Sequence, residues 1–195
     1  AGVFGSAERT DRWEGSVHVQ DEPQSVQIEL WMPHLVRADL EFLELDDDCE
    51  YIPAENHKPR WLALGDSITQ GMTAALPTGA WVARAAEALG VDVRNYGIGG
   101  GKFESFLSEV DLAWPYDLLT IAYGTNDFNA CRALDEMSSN ALRLLQKQAA
   151  VHPKATRVLI TPPPGPCRPK KNGSGHTLED YREALRRAAS KSPGS

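Results

Sequence analysis

In the first quarter of the chain, apolar residues recur at every second position. Trp13 to Gln20 alternates around Val17 and Val19. Ser25 to Met32 alternates through Val26, Ile28, Leu30 and Met32, then stops at Pro33. Ala38 to Leu45 alternates through Leu40, Phe42 and the close pair Leu43 and Leu45. A period of two predicts strands with one buried face. The run Asp46-Asp47-Asp48 reads as a turn, and Pro53 to Pro59 as a linker. Residues 1–57 are therefore expected to form a β-rich segment, and residues 58–195 a second domain.

From residue 58 the pattern switches between strand and helix. Trp61-Leu62-Ala63-Leu64 is a short apolar run ending at Gly65, which predicts a buried strand. Ala80 to Leu89 is alanine-rich, with Gly90 placed to stop a helix. Val91 to Tyr96 predicts a second strand, Phe103 to Val110 a short helix, and Leu118 to Tyr123 a third strand. Met137 to Val151 predicts a helix whose inner face carries Met137, Ala141, Leu144, Leu145 and Ala149. Arg157 to Thr161 is a fourth strand, stopped by three prolines. Thr177-x-x-Asp180 has the form of a capping box opening a last helix. Alternating strand and helix implies a parallel sheet covered on both faces. Ligands bind such sheets at the carboxyl ends of the strands.

Four loops follow those strand ends, and three carry candidate chemistry. Gly65-Asp66-Ser67 would turn sharply off the first strand and present a hydroxyl near a helix N-terminus. By itself the serine is more often a helix cap than a nucleophile, and Gly71 lies too far on for a GxSxG elbow. The second loop is Asn95-Tyr96-Gly97-Ile98-Gly99-Gly100-Gly101-Lys102. It fails as a Walker A loop, because Phe103 follows Lys102 and Tyr96 stands where a glycine is needed. It fails as GxGxxG because Lys102 takes the last place. What remains is a turn with exposed N–H groups, either a bare connection or an oxyanion donor. The third loop, Gly124-Thr125-Asn126-Asp127, is a common turn sequence that can also aim an amide across the sheet. The fourth runs from Pro162 to Cys167. Taken together, the first three would bring a nucleophile and three oxyanion donors to adjacent strand ends: a glycine N–H of the second loop, the Asn126 amide and the N–H of Ser67 itself. Losing one such donor typically costs about 2.7–4 kcal/mol of transition-state stabilisation.

In that order and context the three blocks resemble the SGNH (GDSL) hydrolase family. Gly65-Asp66-Ser67 resembles its first block, with Ser67 in the nucleophile position. Asn95-x-Gly97-x-x-Gly100 resembles the second, with Gly100 as oxyanion donor. Gly124-x-Asn126-Asp127 resembles the third, with Asn126 as oxyanion amide. The resemblance implies a flavodoxin-like three-layer α/β/α parallel sheet over residues 58–195. Residues 1–57, with Trp31-Met32-Pro33 and the Lys58-Pro59-Arg60-Trp61 entry, look like part of the β-sandwich that precedes this domain in some family members. The function implied is a serine esterase acting through an acyl-enzyme. Its substrates would be short acyl or acetyl esters of a carbohydrate or small-molecule acceptor. Acyl transfer by the same site is an alternative. No cofactor and no metal are implied, and Asp66 and Asp127 are expected to shape their own turns. Trp81, Phe103, Trp114 and Phe128 are candidates for an acyl or sugar surface, with core packing the commoner fate of each.

One family element is missing. The resemblance implies an Asp-x-x-His block whose histidine is the general base, yet none of His18, His34, His57, His152 and His176 has aspartate three residues before it. The expected fifth strand is absent too, which would leave the fourth strand as an edge. Both ends thus read as cuts in a longer esterase. Two alternatives are that His176 replaces the base, or that a second chain completes the site. A non-catalytic scaffold is the rival from another class.

Composition narrows the partners. Lys+Arg 20 against Asp+Glu 27 gives a net charge of −7, which argues against nucleic acid. Arg168-Pro169-Lys170-Lys171 is a short basic run among turn formers and reads as a solvated loop. No apolar run approaches the roughly 20 residues of a membrane span. Ala1 to Arg12 shows no signal-peptide core, so a cytoplasmic location is expected. Cys49, Cys131 and Cys167 have no metal spacing and read as free thiols.

Overall fold

The structure is a computed structural model that describes residues 29–36, 38–45, 47, 49–52, 57–110, 114–165 and 168–192. Its centre is a parallel sheet in the order β2-β1-β3-β4. The strands are β1 (Arg60–Gly65), β2 (Asp92–Gly97), β3 (Leu118–Ala122) and β4 (Thr156–Leu159). β1 is buried on both faces, as its unbroken apolar run requires. Leu62 and Leu64 join Leu119 and Ile121 in the larger core. There they meet Met137, Leu144 and Leu145 of α4 (Leu134–Val151) and Tyr181 and Leu185 of α5 (Leu178–Ala189). Trp61 and Ala63 face the other way, onto Val82 and Ala86 of α2 (Trp81–Leu89). The result is the α/β/α sandwich expected from the strand–helix alternation.

Local signals explain the element ends. Gly90 closes α2 at φ 65°, a left-handed position that glycine takes without steric cost. Thr177 and Asp180 form the reciprocal capping box at the start of α5. The thiols of Cys49 and Cys131 are free, and Cys167 lies outside the described residues.

Several expectations change, among them the bounds of the third and fourth strands, observed at Leu118–Ala122 and Thr156–Leu159. Ala38 to Leu45 is not a strand: every residue there is exposed, and no neighbouring strand among the described residues supplies a ladder. The helix expected over Phe103 to Val110 is only a 3₁₀ turn, Ser105–Ser108, because Phe103 is drawn wholly into the core. The strand expected from Val91 begins at Asp92, since Val91 N–H closes the helix end on Ala86 O. The strands expected over Trp13 to Gln20 and over Ser25 to Ile28 lie outside the described residues; Glu29 to Met32 are exposed and not in a strand. Among the described residues β4 is one edge of the sheet, as expected.

Candidate active site

The carboxyl ends of β1, β2 and β3 each release one of the motif loops. Off β1, Asp66 caps the four-residue helix α1 (Ser67–Gln70), accepting Ile68 N–H at 2.9 Å. Ser67 is half-buried at the first position of α1, and its N–H has no partner inside the helix. Its Oγ makes no hydrogen bond among the described residues. Asp66 is buried, and among the described residues one of its carboxylate oxygens has no partner. Burial pushes its pKa up, against the Ile68 N–H and the Arg168 charge that pull it down.

The glycines here are demanded by close approach. A Cβ on Gly97 would sit 2.2 Å from Gln70 N, so β2 and α1 touch backbone to backbone. A Cβ on Gly65 would meet the Thr69 side chain at 2.0 Å and Ala122 O at 3.0 Å. The loop after β2 is then knitted to its neighbours. Ile98 N–H donates to Gly65 O at 2.9 Å, and Gly99 N–H to Gln70 Oε1 at 2.9 Å. Gly100 follows at φ 78°, exposed, with its N–H unbonded among the described residues.

Asn126 stands in α3 (Thr125–Asn129), directly off β3. Its Nδ2 donates to Gly101 O at 3.0 Å, which brings the amide against the glycine turn and leaves its second N–H. Asp127, beside it, is fully buried. Its carboxylate oxygens each accept Phe103 N–H at 3.3 Å, and Arg132 Nε stands 3.5 Å from Oδ1. Burial dominates that balance and pushes its pKa up to about 6, against the Phe103 N–H and Arg132. Phe103 O accepts from Arg132 Nη1 and Asn140 Nδ2, both at 2.7 Å. The end of the glycine turn is thus held from α3, from the loop after it and from α4.

Gln70, Arg132 and Asn140 were not singled out from the sequence. No motif marks them, because their role is to bridge loops distant along the chain. Gln70 is tied further out: its Nε2 donates to His34 O at 3.1 Å, while His34 Nε2 lies 3.0 Å from Gly71 O. Of the four aromatic candidates, Phe103 and Phe128 are core residues. Trp114 packs partly against the core, with Arg94 over its ring. Trp81 alone lines the cavity beside the site. That cavity, of about 230 Å³, is bounded by Ile68, Thr69, Trp81, Ala122, Tyr123 and Thr125, and on the β4 side by Ile160 to Pro163.

No histidine is hydrogen-bonded to Ser67 among the described residues. His152, at the C-cap of α4, packs its ring at a tilt against Tyr116, which precedes the amino end of β3, whereas the motif loops leave the carboxyl ends of their strands. The loop carrying His176 is fastened to the far end of α3, through Asn172 Nδ2 to Phe128 O and Ser174 Oγ to Cys131 O. The imidazole itself lies 3.9 Å from Asp180. No group of histidine, cysteine and acidic side chains is arranged to hold a metal among the described residues, and no helix there is long and apolar enough to cross a membrane.

Comparison with known proteins now decides the family. The profile of the GDSL-like lipase/acylhydrolase family matches residues 63–194, more than half of the chain. The chain belongs to this family. Among solved structures it is similar to SsfX3, a salicylyl-acyltransferase from a tetracycline biosynthetic pathway, at 27% identity and a TM-score of 0.62. That match covers 70% of this chain but only 40% of the acyltransferase. The esterase EstA from Pseudoalteromonas sp. shares the fold at 20% identity and a TM-score of 0.54, over 70% of this chain and 74% of its own. The acetylxylan esterase Axe2 from Geobacillus stearothermophilus does so at 24% and 0.53, over 68% and 72%. No match is found among curated proteins. The SGNH hydrolase fold and family membership therefore stand on the GDSL profile and on the parallel sheet together.

Proposed function

We propose that the chain is a serine esterase in which Ser67 is the nucleophile and Gly100 and Asn126 complete the oxyanion hole. The observation carrying this reading is the interlocking of three loops at adjacent strand ends. Among the described residues it leaves the Gly100 N–H, the Ser67 N–H and one Asn126 N–H without other partners, and the half-buried Ser67 hydroxyl unbonded. Ser67 Oγ would attack the ester carbonyl while its proton passes to a base. The carbonyl pair moves onto oxygen, where those three donors meet the developing charge. Collapse expels the alcohol, and water repeats the sequence on the acyl-enzyme. The apolar cavity beside Ile68 suits a short acyl chain, on a carbohydrate or small-molecule acceptor. No residue is assigned as the base.

The test is fluorophosphonate labelling of the folded chain, read by intact mass and peptide mapping. Modification confined to Ser67 and abolished by Ser67→Ala is expected; an unlabelled folded sample would refute an activated serine. His176→Ala then asks whether that residue takes the proton, and unchanged labelling removes it from the reading. Transfer of the acyl group to a second hydroxyl is the other reading, favoured by the likeness to an acyltransferase. Product partitioning between water and an added alcohol separates the two.

A further inference from the structure

The esterase reading leaves one charged group beside the site unused. The chain leaving β4 forms one wall of the cavity through Ile160, Thr161, Pro162 and Pro163. Shortly after it comes Arg168, half-buried. Its Nη1 donates to Pro163 O at 2.6 Å, and its Nη2 to Thr125 Oγ1 at 3.4 Å. Pro163 and Thr125 both line the cavity, and Thr125 immediately precedes Asn126. The guanidinium is therefore at the rim, next to the turn carrying the candidate oxyanion amide. Its charge also reaches Asp66, the residue before Ser67.

A guanidinium has five N–H donors, and these contacts occupy two of them. Among the described residues, no carboxylate lies within 4.0 Å of its nitrogens. The long bond to Thr125 is easily exchanged for a stronger, charged acceptor. Arginine binds carboxylate and phosphate through a planar fork, in charge-assisted bonds about twice as strong as neutral ones. The chain as a whole is acidic, at −7, so its general field repels anions. A local cation at the rim is what would admit one.

We propose that Arg168 selects an ester bearing an anionic oxygen group, a carboxylate or a phosphate, on an otherwise apolar body. The apolar part occupies the cavity, and the anion replaces Thr125 on the guanidinium. This proposal rests on the esterase reading of Ser67.

Binding to the Ser67→Ala chain, measured by calorimetry, tests it without turnover. Monomethyl adipate is compared with dimethyl adipate, and butyl phosphate with butanol. The anionic member of at least one pair is expected to bind about tenfold tighter, with the advantage shrinking as salt rises. Which pair responds tells a carboxylate from a phosphate. Arg168→Gln should bring the ratio to about one, while Arg168→Lys keeps part of it. Equal binding of charged and neutral members overturns the proposal. So does a preference that survives Arg168→Gln but disappears in Asn126→Ala, which would put the anion in the oxyanion hole. Labelling in parallel separates the two readings. A labelled Ser67 with no anion preference removes Arg168 alone. An Arg168-dependent preference with no labelling keeps the anion site and removes the esterase reading.

Discussion

Asp127 should make the protein less stable as pH rises through the weakly acidic range. The carboxyl is fully buried, with Phe103 N–H and Arg132 as its polar neighbours, and burial outweighs both. Its pKa rises from 3.8 to about 6 on folding. Below the lower value both states keep the proton. Between the two values the unfolded chain gives it up while the folded chain holds it, so stability falls with pH. Above about pH 6 the loss is complete. A difference of about two pKa units corresponds to about 3 kcal/mol, of which about 2 kcal/mol falls between pH 4.5 and 7.5. Asp127→Asn keeps the shape and an acceptor for Phe103 N–H but has no proton to lose. Asp66, also raised by burial, acts in the same direction in both proteins and cancels from their difference. Urea unfolding of both at the two pH values gives that difference directly. Wild type should lose about 2 kcal/mol relative to Asp127→Asn on going to pH 7.5. Parallel behaviour would mean that Phe103 N–H and Arg132 balance burial. A relative gain would mean that they exceed it.

Three further outcomes follow from the loop contacts. Gly97→Ala forces a methyl to within 2.2 Å of Gln70 N, where only backbone movement can relieve it. A loss of about 1–3 kcal/mol or more is expected in urea unfolding, and an unchanged midpoint would contradict the backbone contact. Gln70→Ala removes the bonds to Gly99 N–H and His34 O. It should cost about 1–2 kcal/mol in thermal unfolding and slow Ser67 labelling by freeing the glycine turn. Asn126→Ala should slow that labelling by about 10²–10³ with a small change in melting temperature; an unchanged rate would exclude its amide as an oxyanion donor.

The candidate site was more legible than its supports. Gly65-Asp66-Ser67, the Gly97 to Gly101 turn and Asn126 lie in short blocks, so their spacing is visible along the chain. Asp127 was expected to brace its own loop, yet its carboxylate holds Phe103 of the preceding one. Arg132 and Asn140 reach the same residue from elsewhere. Such bridges join positions 24 to 37 residues apart and leave no periodic trace. Phe103 shows the same limit: a helical pattern predicted a turn of helix, but burial of the ring decided where the chain went.

Short apolar runs interspersed with helical segments, glycines at strand ends and the Thr177 capping box are local features, each determined by backbone geometry and side-chain period. From the sequence by itself they established a parallel α/β domain and the order of its motif loops. Only the tertiary structure decided which face each strand residue covers and which side chains lock the loops together. It also fastened the loop carrying His176 to the end of α3 and set Arg168 at the cavity rim. These outcomes depend on burial and on contacts between residues far apart in the chain, whose energies exist only once the sheet has assembled.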